Sequence, residues 1–223
     1  MKIQASSGRS RAIYEHLNGK EKKSGVIITP GFLRLESAVL ASQSSIDFAL
    51  LSTQGVMNET EQRLSITDNF VASEIGFFIL KVAAPGVNRG DVLRTNNNAT
   101  IFSKAGEAAA MMNLYNGKLG ITINSKTIIQ NWDLMRHYRV GTAQKGVLTA
   151  ASGTNNAYDQ SQWDTASYGM YPLTPTVELR GSSNNKLTIT LPASIDMSGT
   201  ASVNYAVLYM RGFLKQNASN VVG

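Results

Sequence analysis

A chain of 223 residues with 43% hydrophobic and 16% charged residues can bury a substantial core in one domain or two small ones, and it is neither disordered nor membrane-like in bulk. It has no cysteine, which excludes disulfides and thiolate metal sites. The formal charge is +6 and unevenly placed: residues 1–25 carry Lys2, Arg9, Arg11, Lys20, Lys22 and Lys23 against Glu15 and Glu21, ahead of a nearly neutral body. A basic arm of this kind is drawn to nucleic acid or to an anionic lipid surface. The first residues lack an apolar core of signal-peptide length, and no later stretch approaches a membrane span, so the expectation is synthesis and folding in a cytoplasm.

Taken in order, Ser10 caps a predicted short helix through Ala12, Ile13, His16 and Leu17, with Gly19 past its end. Its narrow apolar stripe suggests an amphipathic foot that docks elsewhere. Val26–Ile28 is a brief apolar run stopped by Pro30-Gly31, a turn signal. Phe32 to Leu40 and Ile46 to Leu51 then read as two strands joined by a serine-rich loop; a helix over 36–51 is disfavoured by the serines and β-branched residues.

The strongest strand signal is Gln62–Val82. Leu64, Ile66 and Phe70 form one apolar run; Ile75, Phe77, Ile79 and Val82 form another, with Phe78 and Leu80 on the opposite face. The second run is apolar on both faces, which predicts a central strand. The polar residues Asp68, Asn69, Ser73 and Glu74 predict a turn or bulge, making the stretch a central hairpin. Val92–Arg94 reads as a brief strand.

The period then changes. Ala108, Met111, Met112 and Tyr115 share one face of a predicted helix capped by Ser103 and ended by Gly117. The methionines read as core packing. Leu119, Ile121 and Ile123 alternate as a strand, and Thr127–Ile129 and Trp132–Val140 supply one or two more. Residues 150–170 lack periodicity, and Tyr158, Trp163, Tyr168 and Tyr171 lie within or beside them. A long polar loop bearing aromatics is usually functional or interfacial. Val177–Leu179 and Leu187–Leu191, separated by the Ser182–Asn185 turn, read as a hairpin. Val203–Phe213 predicts a second central strand, with Tyr205, Val207 and Tyr209 on one face and Ala206, Leu208 and Met210 on the other.

No catalytic signature accompanies these elements. The two histidines are His16 and His137; no nucleophile elbow, paired-histidine zinc motif, calcium loop or phosphate loop occurs. The expectation is a non-enzyme without cofactor or metal. Arg89-Gly90-Asp91 and the sequons at Asn58, Asn98 and Asn217 are common loop residues that arise by chance. Trp132, Arg136, Tyr138 and Arg139 interleave aromatics with arginines in a way that can stack on bases, but strand packing with arginines at the rim explains the same pattern.

The order of elements carries a resemblance: apolar strands, a lone Ala/Met helix, further strands, TVELRGSSNNKLTITLP, and a closing YAVLYMRGFLK. Over residues 26–215 it resembles jelly-roll capsid proteins of bacterial viruses, including tailless ones with an internal membrane. The match lies in strand order and a Thr/Asn-rich surface, so no functional residue is carried across. The resemblance implies an all-β jelly-roll β-sandwich at 26–223 with one inserted helix, behind the arm at 1–25. It implies a self-assembling structural protein of a virion, made in the host cytoplasm, whose partners are capsid neighbours and other virion proteins. The arm would face genome or internal membrane, and the loop aromatics would meet neighbouring copies or the outside. Such proteins often hold two jelly rolls and about sixteen strands, whereas the chain offers about ten to fourteen apolar runs; a compact double roll stays open beside the single one. A second reading is a carbohydrate- or receptor-binding fibre or spike head, with Tyr158, Trp163, Tyr168 and Tyr171 stacking on sugars. A hydrolase with an unrecognised site comes last.

Overall fold

The computed structural model describes residues 6–21, 25–40, 42–82, 92–99, 101–140, 169–195 and 204–218. Among these residues the body is an all-β sandwich of two antiparallel four-stranded sheets. Its strands are β1 (Ile27–Ala38), β2 (Gln43–Phe48), β3 (Asn69–Lys81), β4 (Lys118–Ile123), β5 (Lys126–Asp133), β6 (Met170–Arg180), β7 (Asn185–Ile195) and β8 (Asn204–Gln216). Helices α1 (Ser6–Glu21) and α2 (Glu107–Tyr115) and a 3-10 turn at Leu134–His137 complete the described elements. The first sheet runs β1-β8-β3-β6 and the second β2-β7-β4-β5. The expected all-β sandwich is what forms, with eight long strands around one core rather than more numerous short ones.

Three departures separate the observed strands from the expected ones, and the first two lower their number. β1 passes straight through Pro30 and Gly31, which pair with Phe213 and Gly212. Proline is tolerated because β1 is an edge strand, where a missing N–H need not break a ladder. Gln62–Val82 is not a hairpin: Leu64 makes one parallel bridge to Leu51, and β3 is a single strand paired along its length with β8. Its polar break is a bulge at Ser73, whose hydroxyl donates to the Arg211 carbonyl at 3.2 Å. The Val177–Leu191 stretch is no hairpin either, because β6 lies in the first sheet and β7 in the second. The two-residue hairpin is instead β4–β5, where Asn124 (φ 48°) and Ser125 (φ 66°) are both left-handed, as a type I′ turn requires.

The helices also shift. α1 runs through Ser10 and Gly19, past both predicted ends. α2 starts at Glu107 rather than near Ser103, because Gly106 stands at φ 77°, outside helical geometry. Its buried side is Glu107, Ala110, Met111, Leu114 and Tyr115, so Ala108 and Met112 lie at the margin of the stripe. Met111, Leu114 and Tyr115 enter the main core, where Phe77 meets the Tyr115 ring edge-on at 5.2 Å. Trp132–Val140 is not strand throughout: the Asp133 carboxylate accepts from the Met135 N–H at 3.0 Å and starts the 3-10 turn. Val92–Arg94 reduces to one bridge between Arg94 and Ile79.

Both predicted central strands are central. β3 turns Ile75, Phe77 and Ile79 into the core between the sheets, and β8 adds Ala206, Leu208 and Met210. Their other faces bury Phe78, Leu80, Val82 and Val207 in a second cluster with Leu93, Met170, Tyr205 and Tyr209. Val82 thus joins the outer set, not the inner one. The β1 edge is covered by the segment that follows β2: Gln62 and Arg34 exchange backbone hydrogen bonds of 2.9 Å. Beneath that bridge Glu61 accepts from the N–H groups of Glu36 (2.9 Å) and half-buried Asn58 (2.7 Å) and pairs with Arg63 (2.8 Å), with Glu36, Glu61 and Arg63 buried. Glu36 accepts from Thr60 at 2.6 Å and from Arg34 at 2.8 Å.

Opposite the bulge, β3 comes so close to β8 that a Cβ at Gly212 would overlap the Val71 carbonyl. Its cross-strand neighbour Gly31 has room, since a methyl group there would meet its nearest atom at 3.5 Å. Urea unfolding therefore separates the two: Gly212→Ala is expected to cost about 1–3 kcal/mol through overpacking, and Gly31→Ala to stay within about 0.5 kcal/mol of the parent.

Candidate functional site

Of the predicted arm cations, Lys2, Lys22 and Lys23 lie outside the described residues. Arg9, Arg11 and Lys20 sit on α1. Arg9, Ile13 and Leu17, four residues apart, are the half-buried line of the helix, and no described residue of α1 is fully buried. The foot docks on its own body. The Arg9 guanidinium donates to the Leu173 carbonyl and to the Thr174 hydroxyl (3.1 Å), and Tyr14 meets the Phe213 ring at 5.9 Å. Arg9 is therefore a docking residue. Arg11 pairs with Glu15 within the helix at 2.7 Å, its side chain 81% exposed, and Lys20 is exposed. Between α1 and the first sheet lies a groove of about 520 Å³ lined by Ser10, Phe32, Glu74, Tyr209 and Arg211 among others.

The aromatic loop residues Tyr158, Trp163 and Tyr168 lie outside the described residues. Tyr171 is on β6, opposite Ile75 of β3. It joins the sequence-flagged Trp132, Arg136, Tyr138 and Arg139 around His137. The fully buried His137 Nε2 accepts from Trp132 Nε1 at 2.8 Å, and the Tyr171 ring stands edge-on to the imidazole at 5.2 Å. An indole N–H can only donate, so Nδ1 carries the imidazole proton and donates to the Gly169 carbonyl at 2.6 Å. Arg136 lies over the Trp132 ring at 4.3 Å, and Arg139 over Tyr171 at 5.4 Å. Arg139 also bonds the Tyr171 hydroxyl, and Tyr138 donates to Asn97 at 2.8 Å.

This cluster ties Val140 and Gly169, the two described ends of the 141–168 stretch, to one anchor. Both nitrogens of His137 are engaged, leaving neither for proton transfer. Burial pushes its pKa down to about 4 from the ordinary 6.5; Arg136 and Arg139 lower it too, against the opposing pull of the Gly169 carbonyl and Asp133. The protein's own guanidinium groups lie over the Trp132 and Tyr171 rings, and the Tyr138 ring packs edge-on against Tyr115.

Sequence reasoning missed the buried polar groups. Lys81, Glu107 and Asn204 meet at the ends of β3, α2 and β8, with one carboxylate between an amine and a carboxamide. Burial pushes the Glu107 carboxyl up, but hydrogen bonds from Lys81, Asn204 and the Lys104 N–H outweigh this and hold it below the ordinary carboxylate value. The unbroken alanine run after Glu107 gave no hint of this role. Among the described residues no group of three or more His, Asp or Glu is arranged to hold a metal ion, and no helix is long and apolar enough to cross a membrane. The outer face of the second sheet is polar: Lys118, Thr122, Lys186, Thr188 and Thr190 surround Gly120 in a shallow trough of about 490 Å³.

Comparison with family models, with curated proteins and with solved structures finds no match to this chain.

The His137 anchor makes stability pH-dependent with a defined sign. Below pH 6.5 the unfolded chain protonates this imidazole, whereas the folded one stays neutral to about pH 4. The His137 contribution to stability is thus expected to fall as pH drops through that window, by up to roughly 3 kcal/mol, and to level off below it. Urea midpoints of wild type and His137→Gln across pH 4–7 test this: the slope in the difference between them should come from His137 alone.

Proposed function

We propose that the chain is a structural subunit of a viral shell, built as a single jelly roll. The observation that carries this reading is the strand order. Pairing β1 with β8, β2 with β7, β3 with β6 and β4 with β5 describes a folded-over ribbon whose nested strand pairs are split between two sheets. That wrap supports the jelly-roll reading. Every connection except the β4–β5 hairpin changes sheet, so the turns gather at the two ends of the sandwich, where long excursions can grow without disturbing the core.

In this reading assembly is the mechanism. The body supplies a rigid wedge, and the stretch between Val140 and Gly169, held at its root by His137 and Tyr171, supplies contacts to neighbouring copies or the outside. The exposed Arg11 and Lys20, with Lys2, Lys22 and Lys23 of the same arm, supply the cationic surface for genome or internal membrane. The subunit would be made in the host cytoplasm and end in the virion of a bacterial virus. The fibre-head alternative loses support at Tyr171, whose ring is packed against His137 and Arg139 rather than open for a sugar.

Negative-stain imaging and size-exclusion chromatography of the purified chain test the reading. Closed or sheet-like particles are expected; a small discrete oligomer that binds glycans would sink it. Removing residues 1–25 is expected to leave the sandwich folded and to weaken retention of nucleic acid or anionic vesicles in a salt-dependent way. Retention unchanged between low and high salt would refute the arm's role.

A further inference from the structure

Lys81 and Asn204 are direct cross-strand partners in the β3–β8 register. Lys81 Nζ donates to Glu107 Oε2 at 2.9 Å and to the Ile101 carbonyl at 2.7 Å. Asn204 Nδ2 donates to the other carboxylate oxygen, Oε1, at 2.8 Å. The Glu107 side chain is wholly buried, Asn204 likewise, and the Lys81 side chain is 22% exposed. The Phe102 ring lies 5.8 Å from Nζ. An ion pair accounts for Lys81 and Glu107. It does not account for Asn204, whose Oδ1 is buried without a hydrogen-bond partner among the described residues.

We propose that Lys81 and Asn204 are joined by an intramolecular isopeptide bond, formed by the chain itself with Glu107 as proton carrier. The arrangement meets the three needs of that reaction. The nucleophile and the carboxamide are held side by side by strand pairing, which removes the entropic cost of bringing them together. The carboxylate touches both reacting groups, so it accepts a proton from the Lys81 ammonium and frees the Nζ lone pair. The carboxylate and the carboxamide are shut off from solvent and the Lys81 side chain is only 22% exposed, which lessens competition from water.

Nζ then attacks Asn204 Cγ, forming the new C–N bond, and Oδ1 carries the charge of the tetrahedral intermediate. Of the three ammonium protons, one stays on the new amide nitrogen. Glu107 passes the other two to Nδ2, the Cγ–Nδ2 bond breaks, and ammonium leaves. Amine and carboxamide become a secondary amide; nothing is oxidised or reduced, and Glu107 is regenerated as carboxylate. The link joins the ends of the two central strands and closes all the chain between residues 81 and 204 into a covalent loop. Such a loop restricts the unfolded state as a disulfide does, in a chain that has no cysteine.

Intact mass of the denatured full-length chain is the test. Wild type is expected to be lighter than its sequence by one ammonia, and a tryptic map should contain one branched peptide joining the Lys81 and Asn204 segments, with no cleavage after Lys81. Lys81→Arg, which keeps the charge, and Glu107→Gln, which keeps a hydrogen-bonding side chain, should both have full mass and melt at lower temperature than wild type. Wild type at full mass, with separate unmodified peptides at both positions, overturns the proposal, as does an ammonia loss that maps to any other asparagine. The wild-type mass and map decide the matter even where a variant fails to fold, and independently of whether the chain assembles a shell.

Discussion

The fold depends on one pairing, that of β3 with β8. These strands lie side by side at the centre of the first sheet, and each is apolar on both faces. Such strands lack the usual guard against slippage, because a one-residue shift would exchange one apolar face for another instead of exposing it. The register is held by polar groups instead. At one end Asn69 and Lys215 face each other and both donate to Glu178 of β6, at 3.3 and 3.1 Å. At the other, Lys81 and Asn204 face each other and both donate to Glu107 of α2. In the middle, the Ser73 bulge fits only against the bare backbone of Gly212.

Much of this architecture was legible in the chain. Alternation located β4 and β7, and two-faced apolar runs marked β3 and β8 as central. What misled were local signals overridden by tertiary pairing. Pro30-Gly31 is a turn by its chemistry, yet an edge position lets it stay extended. Ser182–Asn185 is a turn, yet it joins strands in different sheets, because periodicity reports how a strand alternates and not which strand it pairs with. The buried carboxylates were illegible for a related reason. Glu36, Glu61 and Glu107 carry no local mark of burial, and beside near neighbours such as Arg34, Arg63 and Lys104 each also takes a partner from another segment. Of the proposed contact residues, Arg9 and Tyr171 proved to be committed to the body, which sequence reading had no means to see, while Arg11 and Lys20 remain exposed on α1.

The two sheets differ in how they treat their outer faces. The first covers its outer surface with Phe78, Leu80 and Val207 under a second apolar cluster and rests α1 beside it. The second presents threonines, lysines and Gln130 to solvent around Gly120. The two sides of the sandwich are therefore chemically distinct, one bearing α1 and the other a hydroxyl-rich surface.

The segment after β2 adds a consequence of its own. Its hold on the β1 edge rests on Glu61, Arg63 and Glu36, whose charges lie inside the protein rather than in the ionic atmosphere. Dissolved ions screen exposed pairs over distances of about 8–10 Å but reach enclosed ones far less. The cover over this edge is thus far less sensitive to the salinity of the surroundings than α1, whose exposed pair Arg11–Glu15 faces water.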